Sequence, residues 1–231
     1  MKKLLFFAFL VILSCSLFKK EKEEVMPLAV DNFWVYQYVE VEKNFKKEGY
    51  LLKYFGKNLR SSSQPEVDTL KLIAKQSIEG VDGYVCFSTM EDDTLGVFYY
   101  KNDYLWFYSS DEELSMKLFP QKPKVGDKWI SFEDKREIAD FDGDGKEDSV
   151  NFIYEDSIIG KEAISVPAGD FKDCYKVEEK EIYKRWYSTN GQWKIEATEV
   201  IAYSLVKMGI GFVKEEIIEE ATYELIAYKI K

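Results

Sequence analysis

Asp140, Asp142, Asp144 and Asp148 crowd into one short stretch, Asp140-Phe141-Asp142-Gly143-Asp144-Gly145-Lys146-Glu147-Asp148. Carboxylates this close repel one another unless a cation lies among them. Hard oxygen donors at alternate positions, with a glycine where the backbone must turn, suit calcium. Counted from Asp140, the aspartates take positions one, three, five and nine, Gly145 takes six, and the Lys146 carbonyl takes seven. The spacing predicts one calcium held by Asp140, Asp142, Asp144, Lys146 and Asp148 in a structural role. The competing account is an acidic turn that is merely solvated.

Other chemistry is thinner. The chain contains no histidine, which excludes Ser-His-Asp and Cys-His catalysis and nearly every catalytic zinc site. Acidic pairs occur at Asp92-Asp93, Glu178-Glu179, Glu215-Glu216 and Glu219-Glu220. Neighbours on a strand point to opposite faces, so adjacency alone is no evidence for a working carboxylate pair, and solvated strand faces account for them. No catalytic residue is expected. A net charge of -10 argues against nucleic acid as a partner, because phosphates demand lysine and arginine.

The elements that must position the acid loop read as strands. Residues 135–139 and 150–154 flank it, so it should close a hairpin. Before it, 33–41, 50–55, 70–78, 84–90, 95–101 and 104–108 are short runs rich in β-branched and aromatic residues. Asn102-Asp103 separates two of them as a tight hairpin turn. Residues 56–65 read as loop, and 111–117 as a weak helical turn. After the acid loop come 158–166, 174–186, 192–202, 205–208, 212–216 and 223–230. The sum is an all-β fold, an antiparallel meander forming a curved sheet or half-barrel. Val30-Asp31-Asn32-Phe33-Trp34 is echoed by Val125-Gly126-Asp127-Lys128-Trp129, which suggests two consecutive sub-sheets dividing near residue 120. The densest aromatic run spans 98–108; Phe98, Tyr100, Tyr104, Trp106 and Tyr108 could line an apolar ligand groove, although core packing explains them more simply.

The amino terminus has the layout of an export signal: Lys2 and Lys3, an apolar run over 4–13 too short to span a bilayer, and a small residue before Cys15. Ile12-Leu13-Ser14-Cys15 resembles a bacterial lipobox, which implies removal of residues 1–14 and a lipid on Cys15. Residues 15–26 then form a polar tether, and 27–231 the β domain. The expected location is extracytoplasmic, anchored through that lipid to an outer membrane or cell surface. Outside the cytoplasm Cys86 and Cys174 could pair as a disulfide, or remain free and buried.

Two further resemblances add to this. The acid loop resembles the compact calcium loops of integrin-type and FG-GAP repeats, a D-x-D-x-D-G-x-x-D run closing a β-hairpin; at position twelve Asn151 replaces the bidentate glutamate of an EF-hand. Pro27-Leu28-Ala29-Val30 with Trp34, then Ser165-Val166-Pro167-Ala168-Gly169-Asp170-Phe171, and finally Gly209-Ile210-Gly211-Phe212-Val213-Lys214-Glu215 resemble landmarks of a family of bacterial secreted proteins and lipoproteins of unassigned activity. That likeness implies a curved antiparallel sheet and no catalytic residues. The expected function is a non-enzymatic binding or envelope-structural module with one calcium. A carrier or sensor of an apolar ligand comes second, and a carboxylate-dependent hydrolase last.

Overall fold

The computed structural model describes residues 24–40, 66–109, 113–140, 143–189, 191–218 and 221–231. Cys15, Asp142, the expected strand at 50–55 and the loop at 56–65 lie outside them. Twelve strands follow in order: β1 Phe33–Glu40, β2 Glu66–Ile78, β3 Val81–Ser88, β4 Asp93–Lys101, β5 Tyr104–Ser109 and β6 Leu114–Pro120. The second half supplies β7 Lys128–Ala139, β8 Asp148–Val166, β9 Gly169–Tyr187, β10 Gln192–Lys207, β11 Gly211–Ile217 and β12 Ala221–Lys229.

All twelve belong to one antiparallel sheet in the order β6-β5-β4-β3-β2-β1-β12-β11-β10-β9-β8-β7. Every neighbour is consecutive in sequence except β1 and β12, which pair from Phe33↔Lys229 to Glu40↔Ala221. The two edges are therefore β6 and β7, themselves consecutive and joined by the short segment 121–127. So short a link forces the sheet to curl until its edges meet, giving a nearly closed barrel. Trp129 of β7 donates its indole N–H to the Lys117 carbonyl of β6 at 3.0 Å, and its ring meets Phe119 edge-on at 5.9 Å. The break expected near 120 is thus the seam of a single sheet.

The interior follows from alternation. On β5, Leu105, Phe107 and Ser109 are buried while Tyr104, Trp106 and Tyr108 are half-buried on the other face. Asn102 and Asp103 both adopt positive φ, the conformation required by the two-residue turn expected there. Within the helical turn expected at 111–117, residues 114–117 are instead the start of β6: Met116 and Leu118 are buried in the core cluster, and Met116 faces Phe107 across the ladder. Burial of that face overrides the weak helical signal of its charged approach.

The last residues of the tether enter the barrel. Val25 and Met26 are buried in the core cluster, the Tyr100 hydroxyl accepts the Met26 N–H at 3.1 Å and donates to its carbonyl at 2.9 Å. Gly209 donates its N–H to the Glu24 carbonyl at 2.7 Å. Trp34 donates to the Ile210 carbonyl at 2.6 Å, tying the same end together.

Gly96 of β4 sets how closely β5 can approach. A Cβ there would lie 2.0 Å from the Tyr108 carbonyl oxygen and 2.7 Å from the Phe107 ring, at a φ of +155°. Gly96→Ala is expected to destabilise the protein by about 2–3 kcal/mol through overpacking and backbone strain. A lowered urea midpoint at unchanged slope measures it; a wild-type midpoint would contradict the close approach.

Candidate functional site

The acid loop joins β7 to β8 as expected. The Asp140 carboxylate accepts backbone N–H groups from Gly143 at 2.6 Å, Asp144 at 3.1 Å and Gly145 at 2.8 Å. Gly143 and Gly145 hold φ of +78° and +84°, a left-handed geometry that glycine adopts without strain. Asp144 accepts the Lys146 N–H at 2.9 Å. Asp148 is buried at the first position of β8 and accepts the Ser188 N–H at 2.8 Å, which fastens the loop to the β9–β10 turn. Among the described residues no three acidic or cysteine side chains converge to hold a metal; Asp142 lies outside them. The described donors still fit calcium chemically, because an ionised carboxylate offers about four lone-pair sites and Asp140 gives three of them to N–H groups.

Cys86 and Cys174 are both free and buried, so the disulfide alternative gives way to the buried-thiol one. They sit on β3 and β9, which are not neighbours in the sheet. Burial pushes both thiols above their ordinary range, which leaves them unreactive. The proposed aromatic groove also fails as a single surface. Phe98 faces Phe107, their rings 4.9 Å apart, and belongs to the core cluster together with the adjoining Tyr100. Tyr104, Trp106 and Tyr108 alternate with Leu105 and Phe107, so they lie on the opposite face. There Trp106 stacks on Tyr99 at 6.3 Å, and Lys117 lies over both Tyr104 and Trp106.

The concavity lies instead inside the barrel. One chamber is bounded by Tyr36, Phe98, Phe212 and Tyr223, with Met26 at its tether end and Asp68 and Glu215 in its wall. About 50 Å³ is open to the centres of water-sized spheres, room for roughly three or four waters. A smaller one, on the seam side of Phe212, is lined by Met116, Ser131, Asp156, Glu179 and Ser204. Ladder register explains the polar groups: Tyr38, Tyr223, Glu215 and Ser204 are successive cross-strand neighbours on β1, β12, β11 and β10, and Asp156 faces Glu179 across β8 and β9.

Two of these interior acids, Glu215 and Glu179, belong to the pairs Glu215-Glu216 and Glu178-Glu179 read as solvated. One member of each goes in and the other out: Glu215 is buried while Glu216 is exposed, and Glu179 lines the smaller chamber while Glu178 pairs with Lys180 at 2.6 Å. The available signal was parity. Glu215 shares a face with Val213 and Ile217, and Asp156 with Tyr154 and Ile158. Burial is the main reason that the Glu215 carboxyl is pushed up to about 8, against the hydrogen bond from Ser204. Burial also holds Asp156 well above the usual carboxylate range, reinforced by the charge of Glu215 and moderated by Ser131 and Trp129. A further interior acid, Asp68, accepts at its Oδ1 from Ser88 Oγ at 2.8 Å and from the Met90 N–H at 3.1 Å.

No family model matches this sequence, and no curated protein does. Among solved structures, the chain is similar to a candidate lipoprotein from Parabacteroides distasonis ATCC 8503, with a TM-score of 0.45 and 14% identity over 90% of this chain and 99% of the other. It is also similar to a candidate exported protein with a YmcC-like fold from Bacteroides fragilis NCTC 9343, with a TM-score of 0.41 and 13% identity over 90% of this chain and 100% of the other. Likeness of this degree assigns neither family nor activity.

The raised Glu215 carboxyl has a consequence for stability. Unfolded, it titrates near 4.5; between there and about 8 the folded chain holds a proton that the unfolded chain lacks. Its contribution is therefore full below about pH 4.5 and is lost as pH rises through about 8, at most roughly 5 kcal/mol. Asp156 acts with the same sign. The melting temperature is expected to fall between about pH 5 and 9, and Glu215→Gln to flatten part of that fall and exceed wild type at the alkaline end. An unchanged pH slope in the variant would contradict the burial assigned to Glu215.

Proposed function

We propose that the protein is a lipid-anchored, extracytoplasmic, non-enzymatic binding module whose ligand enters the barrel interior, with one structural calcium in the acid loop. The observation that carries the reading is the chamber beside Phe212, whose tether end is Met26. If Cys15 carries a lipid, the segment leading from the membrane ends inside the binding cavity. The apolar-carrier reading thus moves from the hairpin surface to the barrel interior. A hydrolase is less well supported: a glycosidase needs one ionised and one protonated carboxyl, whereas burial drives Asp156 and Glu215 toward the same neutral form.

The calcium reading rests on the spacing of Asp140, Asp142, Asp144 and Asp148 and on the tight glycine turn between them. Extracellular sites of this kind hold calcium at about 0.1–1 mM. At about ten times the dissociation constant, binding adds about 1.4 kcal/mol, or a rise in melting temperature of about 3–5 °C. Calcium is expected to produce that rise, and Asp142→Ala combined with Asp144→Ala to abolish it; an equal rise in the double variant would reject the site.

Anchoring is tested separately. Cys15→Ser is expected to move the protein from the detergent-dependent to the soluble fraction, and continued membrane fractionation would overturn the lipid assignment. Native mass spectrometry of protein taken from its own envelope tests the binding reading. An added mass that survives desalting and is released on unfolding supports it; a bare polypeptide from freshly isolated envelopes counts against it.

A further inference from the structure

The main chamber combines two kinds of wall seldom found together. Four aromatic residues, Tyr36, Phe98, Phe212 and Tyr223, line it, and Glu215 lies in the same wall. An aromatic cage offers its electron-rich faces to a cation, and the attraction grows when water is excluded. The carboxyl offers the countercharge.

Among the described residues no cation is paired with that carboxyl. Lys214 borders the chamber but its ammonium lies 3.1 Å from Glu224, and the Glu215 carboxyl is shifted by burial against the hydrogen bond from Ser204. Facing it from the other elements are Tyr223 of β12, Ser204 of β10 and Asp156 of β8, with Tyr36 of β1, Asp68 of β2 and Cys86 of β3 around them. None is basic. A second observation is independent of the acids. The Tyr223 hydroxyl has no hydrogen-bond partner among the described residues, although the residue is only 6% exposed and lines the chamber. Across Phe212, Asp156 Oδ1 is likewise without a partner on a residue 5% exposed. Buried polar atoms are seldom left unsatisfied unless a ligand or ordered water completes them.

Resting on the binding reading above, we propose that the ligand is a small methylated ammonium ion, caged by Tyr36, Phe98, Phe212 and Tyr223 and neutralised by Glu215. A neutral apolar molecule would leave the carboxyl and the Tyr223 hydroxyl unanswered. An anion would meet the carboxyls of Asp68 and Glu215, and the lining ammonium of Lys214 is already held by Glu224 at 3.1 Å. Binding a cation draws the Glu215 proton out, so affinity rises as pH increases toward about 8 and then levels off. The same head group occurs free or on a zwitterionic lipid.

The experiment is calorimetric titration of the full mature chain with choline, and with 3,3-dimethylbutanol, in which carbon replaces the charged nitrogen. Choline is expected to bind, the neutral isostere to bind at least about tenfold more weakly, and Glu215→Gln to reduce choline binding by about the same factor. Glu215→Gln keeps the side-chain volume and cannot ionise, so at pH 8 it should fold at least as well as wild type. Equal binding of the isostere, undiminished binding by the variant, or no choline binding at either pH 6 or 8 would each overturn the cation assignment. A ligand recovered by native mass spectrometry that lacks an ammonium group would overturn it too, while leaving the binding module intact. Co-sedimentation of the Cys15→Ser protein with phosphatidylcholine but not phosphatidylglycerol vesicles would place the head group on a lipid, and binding of choline alone would place it on a free solute.

Discussion

Pairing of the first described strand with the last is the constraint on which the architecture depends. Strands β1 to β6 and β7 to β12 are two ordinary meanders, and each alone would bury one face against nothing. The β1–β12 ladder, from Phe33↔Lys229 to Glu40↔Ala221, fuses them into one sheet and thereby makes β6 and β7 its edges. Because 121–127 already joins those edges, curling is imposed by connectivity. Trp129 then completes the seam by giving its indole N–H to β6. The ends of the chain reinforce the same point: Asn32, fully buried, accepts the Lys231 N–H at 2.9 Å and donates to the Pro27 carbonyl at 2.8 Å.

The second meander is longer than the barrel needs. Strands β8 and β9 run 19 residues each, and β10 pairs with β11 only from Ala202 onward. Residues 192–199 therefore form an edge, exposed throughout, with Ile195 at 65%. Exposed edges invite pairing with other chains, and this one carries Lys194, Glu196 and Glu199 and two register shifts, between Ile195 and Ala197 and between Val200 and Ala202, which discourage it. The acid loop and the turn after Tyr187 cap this projection together through Asp148 and Ser188. An ion in the loop would accordingly stiffen the outer end of the projection, while the interior chambers sit at the seam and the tether.

Much of the fold was legible because period-two alternation and turn chemistry act over a few residues. The strand at 104–108 and its Asn102-Asp103 turn are local facts, and so is the β7–β8 hairpin around the acid loop. The errors arose where tertiary partners decide. Residues 114–117 look helical until Met116 meets Phe107 across the ladder. The breaks assumed at 155–157 and 203–204 vanish because β8 and β10 both pair with β9 without interruption there. Phe98 to Tyr108 look like one aromatic surface only while the two faces of a hairpin are left unseparated. The interior acids were hardest of all: a carboxylate on an apolar face contradicts local expectation, and only the register that sets Glu215 beside Tyr223 and Ser204 reveals where it points.

That contradiction is itself informative. Burying Glu215 and Asp156 disfavours their charged forms, and apolar residues of similar volume would stabilise the barrel as well or better. Sequences under stability constraint alone give no reason to place two such carboxyls on facing sides of Phe212. Asp68 has one, since its carboxylate organises the β3–β4 turn through Ser88, Thr89 and Met90. Glu215 has Ser204 at 3.4 Å and an aromatic wall. Local departures from the burial rule concentrate at working sites, and here the departure coincides with a cavity, an unanswered tyrosine hydroxyl and the inserted end of the tether. Met26, held at both backbone polar atoms by Tyr100, lies at the tether end of that cavity, so whatever loads the barrel must pass or displace the segment that leads back toward Cys15.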